Sequence, residues 1–306
     1  MLFTRFGKIL VKYKEQKNLA VICNDAGGAE IISSWLKRKK KFFVGVLSGP
    51  AKDIFKKKKL KYKKSNLNNA VKNSSWVLTG SGWSSKLEIN GIKQAKRRKK
   101  YVVTFLDHWS DYRLRFKSGN RYIYPNEVWV GDREAEKIAK KILKKIKIKY
   151  IKNPLWEDFR REKKIPLKGK KIKRFLVATS NLDAKIFSKR KTKLTDFKMI
   201  FKTINFIKIK FENDYKHLSQ ISIKRHPSEK LNKYFKFINK SGLKGLKIEE
   251  SKNILNTLKK YSVLIGCETS LLALAKILGL KTYNVHLENL KSRKVPKKYF
   301  DNYLKI

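Results

Sequence analysis

Histidine occurs four times in this sequence against 77 lysines plus arginines, and two of the four stand at places suited to chemistry. At one, Arg225-His226-Pro227 ends an apolar, β-branched run, Ile221-Ser222-Ile223. Proline fixes the turn and aims the imidazole. A second apolar run ends in "GCETS" (266–270), where Glu268, Thr269 and Ser270 begin a helix. Two hydroxyls beside the free amides of a helix N-terminus suit a phosphate oxygen. Arg225 and His226 then complete a phosphate site from the neighbouring loop. The plainer readings are that Thr269 or Ser270 is an ordinary N-cap and His226 a turn residue.

The first half of the chain carries three further clusters. In "NDAGGAE" (24–30), Gly27 and Gly28 let the backbone approach a ligand closely. Asp25 there either takes a proton from a substrate hydroxyl or caps the helix that begins near Ala26. The G-x-G-x-x-G spacing of a dinucleotide site is absent. "TGSGWSS" (79–85) offers Gly80, Gly82, several hydroxyls and Trp83 as a stacking platform, or is simply a loop. In "LDHWSDYR" (106–113), Asp107-His108 is an acid/base or substrate-binding pair, or His108 is structural. No "DxD" metal motif lies in a suitable loop, and Cys23 and Cys267 show neither metal spacing nor a disulfide framework. The site is expected to need no metal and no cofactor.

These clusters all follow strand-like runs. Strands are expected in 19–25, 41–49, 74–85, 101–109 and 126–132, with helices from 26, from 86 and over 133–146. Near 151–170, Asn153-Pro154 and Ile165-Pro166 interrupt the pattern, which reads as a linker. Alternation resumes with strands in 172–180, 220–227 and 261–266. The intervening helices are expected to run to about 211 and to open at Ser228-Glu229, and a last one to stop at Gly279. "LKTYNV" (280–285) reads as the final strand. Alternation of this kind implies a mostly parallel sheet flanked by helices, repeated in two α/β domains, 1–153 and 154–306. Ligands of such sheets bind at the carboxyl ends of the strands, where the clusters lie.

The net charge of +53 would suit a nucleic-acid binder. However, the basic residues are 63 Lys and 14 Arg, whereas bidentate recognition of bases and phosphates favours Arg. The lysines are spread among many Asn and Ile, as codons rich in A and T would encode, and no nucleic-acid motif is present. The N-terminal "MLFTRFGKILVKYKEQK" lacks an apolar core of signal-peptide length. The apolar stretch 261–280 carries Glu268 and Lys276 and parses as strand, turn and helix rather than a membrane span. A cytoplasmic protein is expected, peripheral at the inner membrane face through its lysines.

Two α/β domains, with an HP strand end and a Thr/Ser-bearing helix start in the second, resemble a GT-B-type glycosyltransferase. Within that fold, His226-Pro227 and Thr269-Ser270 are most similar to the motifs of bacterial sialyltransferases and polysialyltransferases. The resemblance implies two Rossmann-like domains facing each other across a cleft, and a CMP- or UDP-linked sugar donor held on the HP and serine loops. It also implies a general base in the first domain. "NDAGG" is only similar to the family's acidic-acidic-glycine motif, since Asn24 replaces one acid and Ala26 intervenes, so Asp107 rivals Asp25. The acceptor implied is an anionic surface glycan or a lipid-linked one, reached on the side of Gly27, Gly28, Gly80, Gly82, Trp83 and His108. Residues 77–132 are also similar to proteins of bacterial surface-polysaccharide gene clusters. HP strand ends occur too in nucleotide-sugar 2-epimerases and cell-wall polymerases, so epimerisation or hydrolysis of a nucleotide sugar is the alternative reaction.

Overall fold

The computed structural model describes residues 18–82, 85–162, 174–182, 195–230, 232–251, 253–286 and 295–305. Trp83 and the N-terminal 1–17 lie outside the described residues. The chain divides into two compact units, Met1–Glu157 and Asp158–Ile306.

Unit 1 is built on a seven-stranded sheet of order β3-β2-β1-β4-β5-β8-β9, with every neighbouring pair parallel. The strands are β1 (Leu19–Cys23), β2 (Phe43–Leu47), β3 (Lys63–Lys64), β4 (Trp76–Thr79), β5 (Tyr101–Leu106), β8 (Glu127–Val130) and β9 (Lys147–Tyr150). A small antiparallel pair, β6 (Lys117–Ser118) and β7 (Arg121–Tyr122), branches off between β5 and β8. β1, β4 and β8 are buried along their whole length, as parallel strands covered on both faces must be. Where a polar side chain enters this core it finds a partner: the Thr79 and Thr104 hydroxyls pair at 2.7 Å between β4 and β5. Helices α1 (Ala26–Lys39), α2 (Gly49–Lys57), α3 (Leu67–Lys72), α4 (Leu87–Arg97), α5 (Arg133–Ile142) and α6 (Pro154–Arg160) complete the unit. From β1 the chain steps outward to β2 and β3, then returns to β4 on the other flank of β1, which puts the topological switch between β1 and β4.

Unit 2 repeats the plan with six parallel strands, β12-β11-β10-β13-β14-β15. These are β10 (Phe175–Ala178), β11 (Ile221–Lys224), β12 (Lys247–Ile248), β13 (Val263–Gly266), β14 (Lys281–His286) and β15 (Asn302–Lys305). Its helices are α7 (Asp196–Lys210), α8 (Lys233–Lys240), α9 (Ile254–Leu258) and α10 (Leu271–Leu278). Here the switch lies between β10 and β13. One face of α7, through Met199, Ile200, Ile204 and Ile207, joins Phe175, Ile221 and Val263 in the core. Gly279 stops α10 at φ +92°, its N–H returning to the Ala275 and Lys276 carbonyls, as its sequence position indicates.

Four details differ from the sequence expectations. Asn153-Pro154 starts a helix instead of breaking the pattern: the Asn153 side chain accepts from the Leu155 and Trp156 amides, and proline fills the first helical position. Ser228-Glu229 does not open a helix; it forms a turn, and α8 begins at Lys233 because Glu229 is drawn inward. A strand, β15, follows the one at 281–286 and pairs with it at the sheet edge. The short α2, α3 and α9 and strands β3, β9 and β12 have no expected counterpart, since segments of two to nine residues show little periodicity.

Candidate functional site

In unit 1 the three clusters converge at the carboxyl ends of β1, β4 and β5, and glycines let them touch. A Cβ on Gly27 would stand 1.9 Å from an Asp107 carboxylate oxygen, and one on Gly82 would stand 2.7–2.9 Å from the Asp25 carboxyl group. A Cβ on Gly28 would meet the Gly80 Cα at 3.1 Å, so the β1 and β4 loops lie back to back. No side chain is tolerated at these contacts without a shift.

Asp25 occupies the N-cap position of α1, yet its side chain makes no capping bond. Its Oδ1 accepts from the Asn24 amide at 3.1 Å, while Asn24 Oδ1 accepts from Ser48 at 2.6 Å. From below, Glu88 holds the backbone just before the helix: its Oε1 accepts from Asn24 N (2.6 Å) and Asp25 N (3.3 Å). Glu88 is buried, and desolvation raises its pKa against the opposing effect of those amides. Burial, with Glu88, Asp25 and Asp107 nearby, also holds the Cys23 thiol well above its usual range, so it is an inert packing group.

Asp107 is engaged differently. Its Oδ1 takes the Arg115 guanidinium at 2.8 Å and the Ser81 hydroxyl at 3.1 Å, and Arg115 also reaches the Ser81 carbonyl at 2.7 Å. The Arg115 side chain is only 5% exposed, so this ion pair ties the β4 loop to the β5 loop. Asp107 does not bond to His108; the imidazole Nδ1 pairs with Ser110 at 3.2 Å and the ring packs on Trp109. Trp109 in turn donates to Asp132, which caps α5 through the Glu134 and Ala135 amides.

In unit 2 the His226 turn and the Thr269-Ser270 helix start flank β10, and the β10 loop stitches them together. His226 N donates to the Thr179 hydroxyl (3.0 Å), and Asn181 donates to Ser228 Oγ (2.8 Å). On the other flank the Ser180 hydroxyl donates to the Cys267 carbonyl at 2.5 Å. Inside the turn the Ser228 amide donates to His226 Nδ1 at 3.2 Å. The Ser228 hydroxyl lies 2.7 Å from the same nitrogen, and in the tautomer that accepts the Ser228 amide the proton of a neutral ring sits on Nε2. Pro227 follows within the same turn.

Arg225 braces the turn, donating to the Glu229 carbonyl at 2.8 Å. Glu268 sits in the left-handed region at φ +48°. Its carboxylate is held by the Asn284 side chain and the Val295 amide, and Asn284 Oδ1 accepts from Glu268 N. Thr269 Oγ1 accepts from Leu271 N at 3.3 Å, whereas Ser270, the N-cap of α10, makes no side-chain capping bond.

Beneath the turn Glu229 collects four donors: Thr179 Oγ1 (2.6 Å), His226 N (2.8 Å), Tyr234 OH (2.6 Å) and Lys233 Nζ (2.6 Å). Lys233 also bridges to the fully buried Asp196 at 3.0 Å, and Asp196 accepts from the Ser180 and Leu182 amides. Desolvation pushes the Glu229 carboxyl up, but the Lys233 ammonium with the Thr179, Tyr234 and His226 donors outweighs it and holds the pKa below the usual range. Glu88, Arg115, Thr179, Ser180, Glu229 and Lys233 are thus site residues that the motif reading missed. Carboxylates are scarce in this chain, and that scarcity was the available signal.

No protein-family model matches the chain, and no curated protein sequence matches it. Solved structures do. A Staphylococcus aureus MnaA–UDP co-structure superposes with TM-score 0.62 at 12% identity, over 88% of this chain and 79% of that one. A putative UDP-N-acetylglucosamine 2-epimerase from Listeria monocytogenes gives 0.56 at 9% identity, over 88% and 79%. The wall teichoic acid polymerase TagF gives 0.51 at 12% identity, over 94% and 77%. The fold is of GT-B type, with two Rossmann-like halves. Among the described residues no helix is long and apolar enough to cross a membrane.

Proposed function

We propose that the chain is a nucleotide-sugar enzyme, and within that class a metal-independent glycosyltransferase of surface-polysaccharide assembly. One observation carries the reading: the β10 loop joins the His226 turn to the Cys267–Ser270 helix start at the switch point, so their donors share one floor. The leaving phosphate stands on the Nε2–H of His226, the Ser270 hydroxyl and the first amides of α10. Arg225 and Glu268 support the two loops by their backbone and side-chain bonds. His226 stabilises or protonates the leaving phosphate. In unit 1, Asp25 is favoured over Asp107 as the base for the acceptor hydroxyl, because the Asp107 oxygen is engaged by Arg115 and Ser81. Gly27, Gly28, Gly80 and Gly82 shape the acceptor side. The acceptor is an anionic or lipid-linked glycan, in keeping with the lysine-rich surface.

The superposed structures, named for UDP, a UDP-sugar epimerase and a wall-polymer polymerase, support a nucleotide-sugar ligand. The likeness to the epimerase favours a second reading equally: the same floor holding a UDP-sugar while its C2 centre is inverted. A thermal-shift panel of CMP, CDP, UDP, GDP and a short oligonucleotide at ~150 mM salt tests the class, since ligand at about 100 times Kd adds about 2.7 kcal/mol of stability. Stabilisation by one nucleotide, retained in large part by His226→Ala, is the expected result. A response to the oligonucleotide alone, fading with salt, would overturn the reading. Conversion of UDP-N-acetylglucosamine without any acceptor would replace transferase by epimerase or hydrolase. For a transferase, His226→Ala lowers kcat far more than nucleotide affinity.

A further inference from the structure

We propose that Glu229 is a positioning residue, and that the buried Glu229–Lys233–Asp196 cluster sets the orientation of the His226 imidazole by locking two loops into one body. The inference rests on the reading of His226 as the group that faces the phosphate. Its geometry is specific. Glu229 Oε2 holds the amide of His226 itself, and the Thr179 hydroxyl bonds to both, so the start of the turn is fixed at three points. Through Oε1 and Lys233 the same carboxylate reaches Asp196, which in turn holds the amides of Ser180 and Leu182. Ser180 continues to the Cys267 carbonyl. A displacement of Glu229 is therefore transmitted to the imidazole on one side and to the α10 start on the other. A cluster that merely stabilised the core would have no need to place its carboxylate on the His226 amide.

The cluster carries two negative charges and one positive. Each negative charge accepts backbone amides that face the site, and Tyr234 closes the remaining lone pair of Glu229. Glutamine at 229 keeps the shape but offers one acceptor oxygen where Glu229 uses two, Oε2 for His226 N and Thr179 and Oε1 for Lys233 and Tyr234, so the fold survives while the link from the turn to Lys233 loosens.

The test uses full-length protein labelled with 15N-histidine, in which only four imidazoles give signals. In the wild type the neutral His226 ring, identified by its loss in His226→Ala, carries its proton on Nε2. In Glu229→Gln, and independently in Thr179→Val, His226 becomes a mixture of tautomers. Turnover of the probe UDP-N-acetylglucosamine, assayed both alone and with an anionic surface-glycan acceptor, falls about 100-fold, the scale expected for a catalytic group misplaced by about 1 Å. Variants that melt earlier but keep the single tautomer and the wild-type kcat would overturn the inference and leave the cluster structural. If the wild type neither binds nor turns over any nucleotide while the variants still lose the tautomer, the positioning inference stands and the reading of function fails.

Discussion

Gly27→Ala forces a collision at the most crowded contact of unit 1. The new methyl would lie 1.9 Å from Asp107 Oδ2, and Asp107 is held by Arg115 and Ser81 on its other oxygen. Overpacking of this kind costs about 1–3 kcal/mol. Alanine returns up to ~1 kcal/mol of helix propensity, less in a first turn, so the net loss is about 1–2 kcal/mol. Asp107→Ala destabilises for another reason, by removing the carboxylate that balances the Arg115 charge at 5% exposure and leaving it only neutral oxygens of Ser81 and Ser110. In the Asp107→Ala background only the Cβ at 3.3 Å remains, so most of the collision is gone and Gly27→Ala should cost little. The double-mutant cycle therefore predicts a coupling of about 2 kcal/mol whose sign offsets the single losses.

All six tryptophans (35, 76, 83, 109, 129 and 156) lie in unit 1, so selectively excited tryptophan fluorescence follows this unit alone during denaturant unfolding. Each kcal/mol corresponds to about 2–4 °C in Tm for a unit of this size. If Gly27→Ala costs the same with or without Asp107, the two loops are not in contact as described, and the placement of Asp107 beside the α1 start is wrong.

The remaining predictions concern charge. Burial raises the pKa of Glu88 above its ordinary 4.5, so this group favours folding most below that value and progressively less as pH rises. Glu88→Gln should therefore gain on the wild type as pH rises above 4.5, read by tryptophan fluorescence; a constant difference would refute the assignment. Glu229 has the opposite sign, because a depressed pKa gives stability that is present above 4.5 and lost as pH falls through the folded value. Glu229→Gln should therefore cost most at neutral pH and little in acid, measured by circular dichroism of the second transition. At the ends of α1 and α2, a shallow groove of ≈ 690 Å³ is lined by Lys37, Lys40, Lys41, Lys57, Lys59 and Lys61 beside the 65%-exposed Phe42. Glutamine at Lys40, Lys41, Lys59 and Lys61 should weaken binding to anionic-lipid vesicles more than the same change at Lys93, Lys96, Lys99 and Lys100. Equal losses would leave only net charge at work.

The strands of both sheets were legible because buried parallel strands must be written as short apolar runs. "LAVIC" and "VLIG" have no other economical fold, and their order implied two α/β halves. The loops after them were legible as loops. What they do with their side chains was not. Asp25 in a cap position looks in sequence like a capping residue, and nothing local shows that its side chain makes no capping bond or that Glu88, 64 and 63 positions away, holds the Asn24 and Asp25 amides. Likewise "HPSEK" reads as a helix start because a serine with an acid directly after it suits an N-cap and first turn. The turn prevails because Glu229 gains Tyr234, Lys233 and Thr179 by pointing inward, a set of partners drawn from two other segments. Local pattern predicts local bonds, and these carboxylates make distant ones.

That difference indicates how a lysine-flooded chain should be read. With 77 basic residues and 24 acids, a lysine says little about its position, whereas a buried acid must be explained by its partners. Among the described residues six acids are buried: Glu88, Glu127, Asp132, Asp196, Glu229 and Glu249. Four of them hold loops at the carboxyl ends of strands, Glu88 under the β1 loop, Asp132 against Trp109 of the β5 loop, and Asp196 and Glu229 under the β10 and β11 loops. Two neutralise backbone amides directly, without a nearby cation of their own, which is the costlier way to bury a charge and is tolerated where loop position matters more than stability. A surface lysine excess can drift with base composition. Buried carboxylates under four loop ends cannot, because each loss leaves amides unpaired in the interior. The acids therefore mark where the chain is constrained, and they mark the same strand ends at which an open α/β sheet binds its ligand.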